Sequence, residues 1–303
     1  VTTFLQFLVY GVQLGSVYAL LALGYSMVYG IVRMINMAHG DFLMIGALSA
    51  IFIAMGFSGF MVDGRYPFYI VLAIILSAMI LTGLLGVLVE KIAYKPLRDR
   101  PRMSSLITAV GVSMFLQNFP RALPFIGPQP RPFPQLFPLI QFRLGGVVVT
   151  STQIILIVVS IILMISLDAI VQKTKFGAQI RAVSFDKDAS LLMGIDTNRV
   201  ISYTFLIGAV LAAASGIFYA SIYPQVDVYM GSWLGTKSFI AAVIGGIGSI
   251  RGAILGGFIL GITEILATSI NSNLGYGIGF VILIVILLIK PAGILGKTEI
   301  DKV

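Results

Sequence analysis

The stretch RMINMAHGDF, residues 33–42, holds the chain's one histidine, His39, together with Arg33, Asn36 and Asp41. An imidazole, a carboxamide and a carboxylate so close together between apolar runs could line or gate the path of a polar solute. Hydrolytic chemistry is poorly served: the chain has no cysteine, and one histidine leaves few pairings of nucleophile and base. Metal binding is served no better. Two readings of the stretch stand side by side. In one it is a short turn, where Gly40 breaks a helix and Asp41 sits at the positive N-terminal end of the next. In the other, Asn36, His39, Gly40 and Asp41 line or gate a solute path within a broken helix, where unwound backbone offers polar groups without placing full charges in lipid. A second glycine-interrupted stretch, IGGIGSIRGAILGG at 244–257, contains Gly245 and Gly246. Paired interruptions point to an internal repeat around a central pathway. Glu264 adds an ionisable group inside an apolar run, at a cost of about 2.5–3.5 kcal/mol. It must face protein, water or a partner chain, as a satisfied structural carboxylate or as a solute contact.

The elements that position these residues follow from composition. Hydrophobic residues make up 58% of the 303, and the mean hydropathy is +1.02. Soluble domains carry roughly 45–50% apolar residues, so no water-soluble fold hides this chain. Runs such as IVLAIILSAMILTGLLGVLV lack the alternation of a barrel strand and are long enough to cross a bilayer as helices. The reading is an all-α polytopic membrane protein with about 8–10 transmembrane helices. Spans are expected near 5–30, 41–57, 67–90, 104–121, 151–171, 200–222, 237–249, 252–270 and 275–290, within a single domain over 1–303. The first run begins almost at Val1, without a basic leader, and reads as a retained span that could bend or break.

Charge sets the orientation. If the basic loop EKIAYKPLRDRPRMSS faces the cytoplasm, Arg33, Lys91, Lys95, Arg98, Arg100, Arg102, Lys173, Lys175, Arg181, Lys187, Arg199, Arg251, Lys290, Lys297 and Lys302 fall inside. Arg65, Arg121, Arg131, Arg143 and Lys237 fall outside. This threefold excess is the positive-inside pattern and makes the C-terminus cytoplasmic. The net charge of +8 therefore speaks for a membrane partner and not for nucleic acid. Glycines spaced by four, at 11 and 15, 252 and 256, 257 and 261, and 275 and 279, read as close helix packing in lipid.

Two loops stand out. The outer one, about 122–148, lies in a stretch with seven of the twelve prolines and must lie over the bundle as irregular backbone, either a connector or a docking surface. The inner one, about 173–199, is polar, and Ala182, Phe185, Ala189 and Leu192 follow helical spacing. A short amphipathic helix outside the bilayer is expected, its stripe facing either another protein or lipid headgroups.

That inner segment, GAQIRAVSFDKDASLLMGIDTNRV, resembles the coupling loop of permease subunits of ABC importers, specifically the LivH-type permeases for branched-chain amino acids. QLGSVYALLALGYSMVYGIVRMINMAHGDFLMIGA, EKIAYKPLRDRPRMSSLITAVGVSMFLQN and FIAAVIGGIGSIRGAILGGFILGITE match in the same order. The resemblance implies a type II-like permease in a bacterial plasma (inner) membrane, paired with a homologous second permease. Two cytoplasmic ATPases would drive the pair with ATP and Mg, and an external solute-binding protein would feed it. The chain itself would hold no cofactor and would not be an enzyme. The family motif falls on Arg181, Ala182, Gly194 and Ile195 as ATPase-coupling positions, with Gly194 ending the coupling helix. GILGKT near the C-terminus is no phosphate loop, since Gly293 and Gly296 are too close together for one. NMAHGD departs from the family's commoner NFAHGE, so urea, amides or other amino acids stand as alternative solutes. A stand-alone secondary transporter or channel is the rival class, disfavoured by the scarcity of buried ionisable groups.

Overall fold

The computed structural model describes residues 2–98 and 100–296, and these are an α-helical bundle with two small β-ribbons. Among the described residues, seven helices are long and apolar enough to span a membrane: α1 (Thr2–Val32), α2 (His39–Gly56), α3 (Phe68–Val89, continued by π and 3-10 turns to Leu97), α5 (Ser151–Lys173), α8 (Thr197–Ile222), α10 (Ile250–Ile270) and α11 (Ser272–Ile289). α1 is a continuous helix of 31 residues, about 46 Å at 1.5 Å per residue, so the break expected in the first segment falls after it, at residues 33–38.

Two of the nine expected spans need correction. α4 (Arg102–Ala122) is helical, but Gln117, Asn118 and Arg121 make it too polar to rank with the seven. α9 (Met230–Gly245) has only 16 residues because it starts inside the bundle, and Lys237, expected in an outer loop, is a buried residue of this helix. Lys297 and Lys302, assigned to the inner face, and the Lys297-Thr298 end of GILGKT lie outside the described residues.

The two faces of the bundle are well marked. At its start α1 is tied to β3 (Val147–Thr150) by Gln6, which donates to Val148 O at 2.9 Å and accepts from Val148 N at 2.8 Å. β3 pairs with β2 (Gln141–Leu144). At its other end α1 reaches a cleft shared by Arg33, Arg181 of α6 (Lys175–Phe185), Asp168 of α5 and Arg251 of α10. One face thus carries the hairpin and the other carries α6. The proline-rich stretch lies over the hairpin face as expected. It buries Ile126, Phe133 and Leu136, and its β1 (Arg131–Pro132) pairs with β4 (Gln225–Val226) after α8.

The interior is built twice, with opposite direction. α1 crosses from the hairpin face to the α6 face, and α8 crosses back. Each is followed by a short non-helical stretch, 33–38 and 223–229, and then by a helix that begins within the bundle, α2 or α9. α1 packs chiefly on α10 and α8 packs heavily on α3, while α2 lies against α8 and α9 against α1. The glycines at the crossings reciprocate. A Cβ on Gly40 would lie 2.3 Å from Gly231 O, and one on Gly231 would lie 2.7 Å from Gly40 O. The sequence keeps a trace of this. TGLLGVLVE (82–90) on α3 and GGFILGITE (256–264) on α10 each place a glycine seven residues before a glutamate. The Gly246–Ser249 break is real, with φ +107 at Gly246, but it joins α9 to α10 at the α6 face. The counterpart of residues 33–38 is therefore 223–229. An inverted-topology repeat of this kind places its mid-helix breaks near the membrane centre.

Candidate functional site

Residues 33–38 turn back from the α6 face, and α2 starts at His39 against mid-α1. The imidazole fills a slot that exists because Gly24 and Gly208 lack side chains: a Cβ on Gly24 would meet His39 Nε2 at 2.2 Å. Tyr25 meets the ring edge-on at 4.6 Å between centroids, and Phe42 at 6.0 Å. His39 is 1% exposed, so it plugs the crossing of α1, α2 and α8 and does not line an open channel. Asn36 accepts a 2.6 Å bond from the Tyr94 hydroxyl. Asp41, fully buried in the first turn of α2, benefits from the positive end of that helix and accepts from Gln117 Nε2 at 2.9 Å. His39 Nε2, Asn36 Nδ2 and Asp41 Oδ2 are buried without a hydrogen-bond partner among the described residues. Such groups are costly at rest and are available to a moving solute or water.

The expected path residues divide among three places. Asn36, His39, Gly40 and Asp41 are together at the α2 start. Gly245 and Gly246 are at the α9–α10 turn, where a Cβ on Gly246 would strike Gly296 N at 2.4 Å. Glu264 is in a separate cleft, where its Oε1 pairs with Lys237 Nζ at 2.5 Å and its Oε2 accepts from the Tyr18 hydroxyl at 3.1 Å. Its mirror counterpart Glu90, fully buried, pairs with Arg98 and accepts from Ser202 Oγ at 2.6 Å. Sequence reasoning passed over Tyr25, Glu90, Tyr94, Gln117, Gly231 and Lys237. The one available signal was the glutamate spacing shared by 82–90 and 256–264.

On the α6 face the expected single amphipathic helix is two. Asp186, with extended backbone at φ −152, ends α6 and caps α7 (Lys187–Leu192) by accepting from Asp188 N and Ala189 N, both at 2.9 Å. α6 buries Gly177, Ile180 and Val183 against the bundle, and Arg181 donates to Val171 O. The stripe is therefore interrupted. Ala182 and Ile195 are half-buried, Ala189 is exposed, and Phe185 and Leu192 are 83% and 90% exposed, beside Met193 at 82%. Gly194 ends α7 as expected, at φ +81. Its N–H donates to Leu191 O, and Ile195 N donates to Ser190 O, both at 3.0 Å, which closes a Schellman cap.

An inverted repeat with two helices beginning at mid-depth, and a capped helical elbow standing off one face, defines a polytopic membrane permease. The family model for the branched-chain amino acid transport system, permease component, matches residues 7–289, and the chain belongs to that family. It is 38% identical to the high-affinity branched-chain amino acid transport system permease protein LivH of Escherichia coli K12 and of Salmonella typhimurium, over 99% of this chain and 98% of each relative. It is also 38% identical to BraD of Pseudomonas aeruginosa, over the same shares. No solved structure matches the chain.

Proposed function

We infer that the chain is the membrane subunit of an ATP-binding-cassette importer for branched-chain amino acids. Its partners are a homologous permease, two cytoplasmic ATPases that use ATP and Mg, and an external solute-binding protein. The observation that carries this reading is the α6–α7 elbow. Its inner residues anchor it to α1, α5 and α8, while Phe185, Leu192 and Met193 stand in the open, uncovered by the other described residues. Exposed apolar side chains at a capped helix end suit docking into a groove of another protein. The same face gathers Lys91, Lys95, Arg181 and Arg251, which supports placing it, and the C-terminus, in the cytoplasm. ATP hydrolysis belongs to the partners, so the permease is not itself an enzyme. The path runs by the α2 start, where Asn36, His39, Gly40 and Asp41 gather and Gly40 and Asp41 meet α9, with Gly245 and Gly246 at the α9–α10 turn as a further part of the path or gate.

Two substitutions test the elbow. Ala182→Glu places a charge on the docking side, and Gly194→Glu forces a side chain into a left-handed turn at about 1–2 kcal/mol. Both variants should insert normally, yet ATP-driven leucine uptake by the reconstituted importer should fall about tenfold or more while the ATPases remain active. Uptake at the wild-type rate in both would remove the elbow as the coupling element.

A further inference from the structure

The cleft around Glu264 has a composition that bundle packing does not call for. It opens at the hairpin face among the ends of α8, α9, α10 and α11, has a volume of about 370 Å3, and is lined by Tyr18, Tyr219, Tyr223, Trp233 and Tyr276. At its floor is Glu264, and its ion-pair partner Lys237 lies directly behind it, the two side chains 12% and 4% exposed. The Lys237 ammonium lies 4.4 Å from the centre of the Trp233 ring and 5.7 Å from that of Tyr276, and it also donates to Gly275 O at 3.3 Å. Taking both charges out of water costs several kcal/mol per ion before their attraction is counted, and apolar residues of the same volume commonly serve stability as well. Packing alone therefore gives no reason for a lysine on α9. A ligand does.

We propose that this cleft binds a zwitterionic amino acid with an apolar side chain, entering from the hairpin face. The proposal rests on the permease reading above and names a holding site within it. The ion pair is the complement of a zwitterion. On binding, the incoming ammonium takes the place of Lys237 at Glu264, and the incoming carboxylate takes the place of Glu264 at Lys237. Two positive and two negative groups then alternate, and no net charge is added to the interior. Tyr18 keeps its bond to the second Glu264 oxygen and fixes that carboxylate during the exchange. The ligand's side chain lies along the rings of Trp233, Tyr219 and Tyr276, which give apolar contact without demanding one shape. A few placed polar groups in a mostly apolar hollow are the usual make-up of a small-molecule site. A solute with one charge would leave either Lys237 or Glu264 without a counterion, at the cost that attends a broken buried pair.

Trp233 is the chain's single tryptophan, so the site reports on itself. Purified full-length chain in detergent micelles, titrated with leucine, should show a saturable change in tryptophan emission. Leucinamide, which lacks the carboxylate, and 4-methylpentanoate, which lacks the ammonium, should leave emission unchanged. Lys237→Gln and Glu264→Gln should each weaken leucine binding about tenfold or more, and the three-ligand comparison on the unaltered chain holds even if a variant misfolds. A silent tryptophan with leucine, or equal responses to all three compounds, overturns the site. ATP-driven uptake by the complete importer, measured alongside, separates the two readings: uptake that persists with Trp233 silent removes this site and leaves the permease assignment standing.

Discussion

A permease carrying Gly40→Val should be nearly absent from the folded membrane fraction. Any side chain at this position would have its Cβ 2.3 Å from Gly231 O and 2.7 Å from the Gly235 Cα. Both are backbone atoms of α9, so neither can rotate away as a side-chain tip would. The helices must part, and with them the start of α2, the His39 plug and the Asp41–Gln117 bond. Overpacking a core typically costs about 1–3 kcal/mol, and a backbone-to-backbone crossing lies at or above the top of that range. Gly111→Val on α4 is the matched control, because its Cβ would meet nothing within 4 Å. Fluorescence-detected size exclusion after mild heating should show a monodisperse peak for the control and little or none for Gly40→Val. Equal peaks would mean that the α2–α9 crossing is looser than described.

The second large effect concerns Glu90. Glu90→Ala removes the acceptor used by both Ser202 and Arg98, and it does so beneath a guanidinium whose side chain is only 7% exposed. Breaking one partner of a fully isolated buried pair costs about 3–5 kcal/mol; Arg98 keeps its bond to Asn198 Oδ1 at 2.6 Å, so the loss here falls below that range. The melting temperature of the solubilised chain should drop accordingly. Adding Arg98→Met should recover part of the loss, since the charge leaves with its carboxylate partner, while the bond to Asn198 is lost with it. A double variant no better than Glu90→Ala alone would show that Arg98 takes little of its stability from this carboxylate.

Much of the fold could be read from the residues. Apolar runs located seven spanning helices, and the polar stretch 173–199 announced an element outside the bundle. Gly194 could be recognised as a helix stop because a left-handed residue after α7 favours glycine. Lys237 could not be placed, since a charge near the start of a short apolar run looks like a loop residue until Glu264 is seen opposite it, 27 positions later. His39 was similarly opaque: the slot it fills is made by Gly24 and Gly208, and nothing local links the three. The broken stripe at Asp186 escaped because Ala182, Phe185, Ala189 and Leu192 keep helical spacing across the break, and spacing does not register one extended residue. Paired interruptions point to a repeat, but they pair 33–42 with 244–257, because each sets an arginine and a glycine break between apolar runs. The true partner, 223–229, has neither arginine nor glycine and shares a place in the topology.

The doubling of the interior has a consequence for biogenesis. Turned by half a turn about an axis lying flat in the bilayer, α1, α2 and α3 take on the order and packing of α8, α9 and α10. The apolar heart of the molecule therefore says little about which way up it belongs. That decision rests with the fringe of lysines and arginines, which a handful of surface edits could rebalance without disturbing a single buried side chain.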